Sequence, residues 1–202
     1  MNLTEIREQG LLEAYALGDV EPSQTELIEK ALINSPDIRK ELHDIEECLK
    51  YYASQRAIEP HPTQKPLLMS TLSYILRLQA GENLPDPPAL DSNSKISDYK
   101  LWLEKENLQE PEKYDAMHGH IIGATEEKST LIVWLIEGAP DETHTDELES
   151  FLIVEGTCEI TIGNEVHSLK AGDVLSIPLH INHNVKVTSR IPCKVILERK
   201  AA

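Results

Sequence analysis

Apolar residues follow two different periods along this chain, and the change falls near residue 97. Up to about residue 80 they recur every three or four positions, as in helices. Beyond Ser97 they form short or alternating runs between polar turns, as in strands. Residues 84–97 are rich in Pro, Asp, Asn and Ser and lack periodicity, which indicates a linker. The pattern predicts a helical domain at 1–83, a linker at 84–97 and a β domain at 98–202.

The helical part is predicted to open with three helices. Residues 3–17 form the first, which ends before Gly18. Ser23, with Glu26 three residues later, has the spacing of a capping box and opens the second helix. The third begins after Ser35, with a proline in its first position. Each helix has one apolar stripe, so together they predict a small bundle.

A fourth helix is set apart from this bundle. Residues 56–66 contain three prolines and interrupt the helical pattern. The helix that follows carries Leu68, Leu72, Ile75 and Leu76 on one side and ends at Gly81. A helix tethered in this way is free either to fold back or to contact a partner.

The C-terminal part predicts about eight short strands that close into an antiparallel β-barrel. Residues 131–136 are apolar on both faces, as expected between a filled barrel and a covering element. Glu155-Gly156 and Gly163-Asn164 are predicted hairpin turns. Residues 97–111 predict a short helix across the barrel entrance or edge, anchored by Trp102. The fold class is therefore multidomain α and β.

Charge narrows the classes of partner. The chain has 35 acidic and 19 basic residues and a formal charge of −16. Nucleic-acid binding requires clustered Lys and Arg, so this balance argues against a direct nucleic-acid partner. A basic protein partner is the natural complement, although acidity also serves simply to keep a protein dissolved.

Cysteine usage and hydropathy indicate a cytoplasmic protein. Cys48, Cys158 and Cys193 are odd in number and far apart, which fits neither a disulfide framework nor a cysteine zinc site. No apolar run approaches the roughly 20 residues that span a bilayer, and the first residues are polar. We therefore expect a reducing compartment and no membrane association.

Four residues are candidate metal ligands: Glu142, His144, Glu149 and His183. Glu142 and His144 are two positions apart, so on a strand both side chains point to one face. His183 follows some forty residues later, and only a closed antiparallel fold would return it to the others. Imidazole and carboxylate together suit divalent zinc, manganese, iron or nickel.

Other residues near these four leave alternatives open. Glu142 also fits an acidic turn without a ligand role, and His180 is a candidate fifth ligand or a hydrogen-bond donor to one. His118 and His120 alternate on one strand, where they could face the barrel interior or form an exposed or hydrogen-bonded pair.

The segment from residue 138 to 184 resembles the two sequence motifs of cupins. Counted back from Gly156, Glu149 and His144 occupy the positions of the first motif's glutamate and second histidine, and Glu142 occupies that of its first histidine. In the second motif Gly172, Pro178 and His183 are in register, while His180 and Val187 replace the family's Gly and Asn. The resemblance implies a double-stranded β-helix and a divalent metal ion, with zinc as the first expectation, on His144, Glu149, His183 and Glu142.

Residues 10–53 and 62–77 resemble the helical domain of anti-sigma factors. In that family a three-helix bundle and a detached fourth helix hold an extracytoplasmic-function sigma factor. Zinc-containing members carry His-x3-Cys-x2-Cys, whereas His43 and Cys48 have a different spacing here, so a zinc-free version is implied. We expect residues 1–83 to be sufficient for binding the sigma factor.

The order of the two parts is similar to that of ChrR-type anti-sigma factors. This resemblance implies a transcription regulator of the stress-response kind, in which a metal-binding cupin half senses a signal and the helical half binds the sigma factor. The alternative is a metal-dependent cupin dioxygenase or isomerase with a helical assembly domain. A third reading is a metal-free interaction protein, and a homodimer through the cupin half is open in each case.

The enzyme alternative requires a positioned acid, base or substrate-binding cation. Among the Tyr, Arg and Lys residues of the predicted strands, the sequence suggests only Lys186 and Lys194 for this role. We therefore expect a protein that is not an enzyme.

Overall fold

The structure is a computed structural model that describes residues 3–202. It divides the chain into two compact units, the first ending at Glu59 and the second comprising Pro60–Ala202. Within the described range, none of the helices has the length and apolar character required to cross a membrane.

The first unit is helical. Its helices are α1 (Leu3–Glu8), α2 (Leu11–Ala16), α3 (Pro22–Asn34) and α4 (Pro36–Ser54). The expected single helix at 3–17 is two helices, because Gly10 adopts a left-handed conformation (φ 64°) and turns the chain between them. Ile6, Leu12, Ile28 and Ile38 form the centre of the small core.

Of the two predicted N-terminal helix caps in this unit, the cap of α3 differs from the expectation and that of α4 is confirmed. At α3 the capping box is formed by Glu21 and Gln24, with Pro22 in the first turn, and so starts two residues before the expected Ser23. At α4 the expected cap is confirmed, since the Ser35 side chain accepts a hydrogen bond from the backbone N–H of Ile38.

The second unit begins with α5 (Gln64–Gln79), and a short helical stretch follows at Ile96–Leu108 that contains α6 (Lys100–Leu103) between two 3₁₀ turns. Its strands are β1 (Met117–Ala124), β2 (Lys128–Leu135), β3 (Gly138–Glu142), β4 (Glu147–Glu155), β5 (Thr157–Ile162), β6 (Glu165–Lys170), β7 (Val174–Ile177), β8 (His183–Val187) and β9 (Cys193–Ala201).

These strands form two antiparallel sheets, not the closed barrel that the sequence predicted. One sheet has the order β1-β2-β9-β4-β7 and the other the order β3-β8-β5-β6. Their inner faces share one apolar core, so the architecture is a β-sandwich. The extra strand relative to the prediction is the short β3, whose acidic sequence carries no apolar alternation.

One of the two expected hairpins is wrong and the other is confirmed. At Glu155-Gly156 the chain changes sheets, because β4 pairs with β7 and β9 whereas β5 pairs with β6 and β8. Gly156 permits this sharp corner with a φ of 77°, and a Cβ there would lie 3.0 Å from the Pro192 carbonyl. Gly163-Asn164 does connect the paired strands β5 and β6.

A second apolar cluster covers the outer face of the five-stranded sheet. Ile132 and Trp134 of β2 face this cluster, whereas Leu131 and Val133 face the interior, which confirms that the strand is covered on both sides. The covering residues come from the chain between 84 and 114: Leu84, Leu90, Ile96, Tyr99, Trp102, Leu103, Leu108 and Tyr114.

The segment predicted as a linker, residues 84–97, is therefore part of the second unit. Leu90 is buried against the sheet, and its backbone N–H donates to Glu198 Oε2 at 3.1 Å. A few apolar residues among many polar ones are enough to hold an irregular segment on a sheet. The expected position of Trp102 is corrected as well, since it packs on the sheet face.

The fourth helix also belongs to the second unit, so the predicted boundary at residue 83 is replaced by one at Glu59. Helix α5 packs against β1. Ser70 Oγ donates to the Gly119 carbonyl at 2.8 Å, and Arg77 donates to the Ile121 carbonyl. Polar residues make these contacts, and sequence periodicity alone gave no sign of them.

Candidate metal centre

The four predicted ligands meet between the two sheets. Glu142 of β3 lies directly opposite His183 of β8 in one sheet. Glu149 of β4 lies in the other sheet, and His144 lies in the connection between β3 and β4. The His180 backbone N–H donates to the His144 carbonyl at 2.8 Å and so fixes this connection. Strand register thus brings together residues that are up to forty-one positions apart in the sequence.

The distances within this cluster are short. His183 Nε2 lies 3.1 Å and His144 Nε2 lies 3.4 Å from Glu149 Oε2. Glu142 Oε1 lies 3.9 Å from His144 Nε2. Single ligand atoms of Glu142, His144 and His183 all fall within 4.8 Å of one another. Both histidines and Glu149 are buried.

Glu149 is ionised despite its burial. Burial alone favours the neutral acid, but the close contacts with the two imidazoles and the attraction of Arg199 outweigh it and hold the pKa of Glu149 at about 2. The same carboxylate raises the pKa of His144 above its ordinary value.

Arg199 is a member of the site that sequence reasoning missed. Its Nε donates to Glu149 Oε1 at 2.9 Å, and a terminal nitrogen lies 3.2 and 3.3 Å from the two oxygens of Glu142. Arg199 lies opposite Glu149 in the β9–β4 register. The alternation of Cys193, Val195 and Leu197 along β9 places Arg199 on the inward face, and this was the available signal.

The residues present fit a divalent ion. Ligand atoms that share an ion lie roughly 3 to 4.2 Å apart, because each lies about 2.1 Å from it, so Glu142, His144 and His183 need only small movements. His144 Nε2 is buried without a hydrogen-bond partner of good geometry, and an ion would satisfy it. Glu149 is the nearest further candidate ligand, although its Oε1 already accepts a hydrogen bond from Arg199.

Other sequence candidates lie elsewhere. His180 is exposed and adopts a left-handed conformation (φ 62°), which explains why a glycine suits this position. It is outside the cluster of ligand atoms. His43 and Cys48 are both exposed on α4. His118 and His120 face the outer side of the five-stranded sheet beside Trp134, not the interior.

A cavity of about 60 Å³ adjoins the candidate centre. Its polar end is formed by Glu142, Glu149, His183 and Arg199, and most of its other walls are apolar. Thr63, Pro66, Leu67 and Ser70, at the start of α5, close it. The helix that the sequence separated from the β domain is thus one wall of the cavity beside the site.

Comparisons with known proteins agree with this fold. The cupin domain family model matches residues 131–197. Comparison with curated proteins gives no match.

Three solved structures are among those to which the chain is similar. The cupin domain of Cnp3 from Schizosaccharomyces pombe is 16% identical over 44% of this chain and 67% of its own length, with a TM-score of 0.42. KdgF from a Halomonas species is 17% identical over 48% of this chain and 90% of its own length, with a TM-score of 0.42. The cupin domain of an XRE family transcriptional regulator from Enterobacter cloacae is 16% identical over 43% of this chain and 97% of its own length, with a TM-score of 0.39. By the family match, residues 131–197 of this chain are a cupin domain.

Proposed function

We propose that this protein is an anti-sigma factor of the ChrR type, which binds an extracytoplasmic-function sigma factor and senses a signal through a metal ion in its cupin domain. The observation that carries the proposal is the double role of α5. Its first turns line the cavity beside Glu142 and His183, while Leu68, Leu72, Ile75 and Leu76 on the same helix are exposed.

The apolar stripe of α5 is the proposed binding surface for the sigma factor. Four large apolar side chains at helical spacing are unusual on a free surface. Their burial against a partner would contribute about 25 cal/mol of binding free energy per Å² of apolar surface removed from water. The acidic balance of the chain, −16, suits a basic partner surface around such an apolar centre. The helical first unit, residues up to Glu59, would supply the remaining contacts.

The metal centre is the proposed sensor. Glu142, His144, His183 and Glu149 would hold the ion, with zinc first and manganese, iron or nickel as the alternatives. When bound, the ion supplies a fixed double positive charge. Arg199 is a cation already in contact with both carboxylates, so ion binding would rearrange its ion pairs.

The test is binding of the full chain to the sigma factor encoded beside it. We expect a stable complex at micromolar concentrations, measured by co-purification and calorimetry. Leu72→Asp together with Leu76→Asp should weaken it by at least about a hundredfold, since each charge would be buried in an apolar contact. Leu101→Asp, at an exposed leucine on α6, is the matched control. Failure of the unmodified chain to bind would overturn the proposal.

A metal-dependent enzyme is the second candidate, and Arg199 is the observation that favours it. A positioned guanidinium beside a metal centre can orient an anionic substrate. Two features favour the regulator. Arg199 is already hydrogen-bonded to Glu149 and Glu142, which leaves it less able to bind a substrate. The adjoining cavity, of about 60 Å³, is also far smaller than common ligand pockets, which measure roughly 300 to 1,000 Å³. Multiple turnover of a small organic acid by the metal-loaded chain would favour the enzyme instead.

A further inference from the structure

Two histidines on the outer face of the five-stranded sheet are unused by the proposed regulator. His118 and His120 alternate along β1, and their Nε2 atoms lie 3.3 Å apart with the rings nearly perpendicular, at 79°. Trp134 of β2 packs against both rings, with centroids 6.1 and 5.8 Å away, and Tyr114 packs against His118 at 5.8 Å. The two imidazoles are therefore held in a fixed mutual orientation.

The separation of the two nitrogens matches that of two ligands on one ion. A tetrahedral ion with metal–nitrogen distances near 2.05 Å holds its nitrogens about 3.3 Å apart. His118 and His120 thus need little movement to chelate an ion, and the ordering of both side chains has already occurred in folding. Side chains two apart on a strand are suited to this, because they project from the same face.

The protonation of the pair also suits a metal. Burial lowers the pKa of both histidines, although Glu110 opposes the shift at His118 and a hydrogen bond to the Gln109 carbonyl opposes it at His120. Both rings are therefore mainly neutral near pH 7. His120 Nε2 donates to the Gln109 carbonyl at 3.1 Å and lies 3.3 Å from His118 Nε2, so a bound ion would replace the hydrogen that His120 donates to that carbonyl.

Space for further ligands is present next to the pair. A cavity of about 450 Å³ lies between β1 and α5, and both histidines line it together with Met69, Met117 and Tyr114. Among the described residues, the one cluster of three or more His, Cys, Asp or Glu ligands is that between the sheets. An ion on the outer pair would therefore complete its coordination with solvent or with a small ligand in the cavity.

We propose that His118 and His120 form a second metal site, in which two imidazoles bind a divalent transition-metal ion and leave its other coordination positions open to the cavity beside α5. Two imidazoles without carboxylate select ions at the nitrogen-preferring end of the series, Cu²⁺ and Zn²⁺ before Mn²⁺. The site does not share a residue with the centre between the sheets, and it does not depend on the sigma-factor proposal.

Cu²⁺ binding to the full chain tests this site separately. In the variant His144→Ala with His183→Ala, which lacks two ligands of the other centre, we expect one equivalent of Cu²⁺ to bind. Its electron paramagnetic resonance spectrum should show coupling to two imidazole nitrogens. Adding His118→Asn or His120→Asn should weaken binding by about tenfold or more, because each removes half of the chelate. His167→Asn, at a histidine on β6, is the matched control.

A second arm covers the case in which the double variant does not fold. With the unmodified chain we expect two equivalents of Cu²⁺, and His118→Asn should reduce them to one while the circular dichroism spectrum is unchanged. Binding that is the same with and without His118 and His120, or a spectrum that shows no nitrogen coupling, would overturn the proposal.

Discussion

Arg199 sets the balance of charge in the candidate metal centre. Glu142 and Glu149 contribute two negative charges, and Arg199 neutralises one of them in the absence of an ion. A buried carboxylate that loses a cationic partner is destabilising, whereas a divalent ion is an alternative partner. Arg199 therefore stabilises the metal-free state and competes with the ion for the same oxygens.

This competition predicts opposite effects of Arg199→Met. The free energy of unfolding of the metal-free chain should fall by about 3 kcal/mol, because Glu149 remains buried and charged. Zinc affinity should rise, because the guanidinium no longer competes with the ion for the two carboxylates. Urea unfolding with a chelator present and competition with a zinc-binding dye measure the two quantities. Lys200→Met, at the exposed neighbouring position, is the control, and a loss of zinc affinity in Arg199→Met would contradict the prediction.

The sequence identified the residues that converge but not the cation between them. His144, Glu149 and His183 were recognised because they are in register with the two motifs of the cupin family that the segment resembles, and Glu142 because it occupies the position of the first histidine, two residues before His144. Arg199 lies fifty residues from Glu149, and the register that pairs them comes from the packing of the whole sheet. A buried carboxylate requires a partner, but local sequence does not say which cation supplies it.

Glu82 is the polar anchor that follows α5. Its Oε1 forms an ion pair with Arg77 of α5. Its Oε2 lies 2.9 Å from the Asn107 amide nitrogen and 3.1 Å from Lys105 Nζ. Burial opposes ionisation, but these partners together lower the pKa of Glu82 from its ordinary value near 4.5. The contribution of Glu82 to stability is therefore complete above its unfolded pKa and is lost as the pH falls through its folded pKa.

Glu82→Gln should reveal this pH dependence. At pH 7 the variant should unfold with roughly 1 to 2 kcal/mol less free energy than the unmodified chain, because a charge-assisted network becomes neutral. The difference should shrink as the pH falls below the ordinary pKa of 4.5 and through the lower folded pKa of Glu82, where Glu82 itself becomes protonated. Urea unfolding at a series of pH values measures it. Glu104→Gln, at an exposed ion pair on α6, should have little effect at any pH.

The segment at residues 84–97 gives a test of element assignment. Leu90 is buried in the outer cluster, whereas Leu101 of α6 is 53% exposed. Leu90→Ala should therefore lower the free energy of unfolding by about 2 to 4 kcal/mol, and Leu101→Ala should change it by less than about 0.5. Thermal and urea unfolding compare the two. Equal, small effects would mean that the segment is the flexible linker that its composition suggests.

At the scale of the whole molecule, the change of hydrophobic period predicted the two structural classes but not the boundary between them. The predicted apolar face of α5, with Leu68, Leu72 and Leu76, is exposed, and the helix contacts the sheet through Ser70 and Arg77. Periodicity shows that a helix has an apolar side, but it does not show which surface covers that side. The assignment of α5 to a unit depends on tertiary contacts that only the structure supplies.

A path of contacts joins the metal centre to α5. Glu142, a candidate ligand, follows Asp141, whose carbonyl lies 3.3 Å from His61 Nε2. His61 Nδ1 lies 2.7 Å from Thr63 Oγ1, at the residue that precedes α5. An ion that fixes Glu142 would restrain β3 at Asp141 and, through His61, the first turn of α5. Occupancy of the centre would then alter the helix that carries the proposed sigma-binding stripe.

Hydrogen exchange of the α5 amides measures this coupling. Saturating zinc should slow exchange at residues 64–70, because opening of the first turn would have to break contacts with a β3 strand that the ion now holds. His61→Ala should remove most of this effect without changing zinc affinity, since His61 contacts a backbone oxygen and not the ion. His43→Ala, at an exposed histidine of α4, should leave the effect intact. If zinc slows α5 equally with and without His61, the restraint travels through the cavity wall at Pro66 and Ser70 instead.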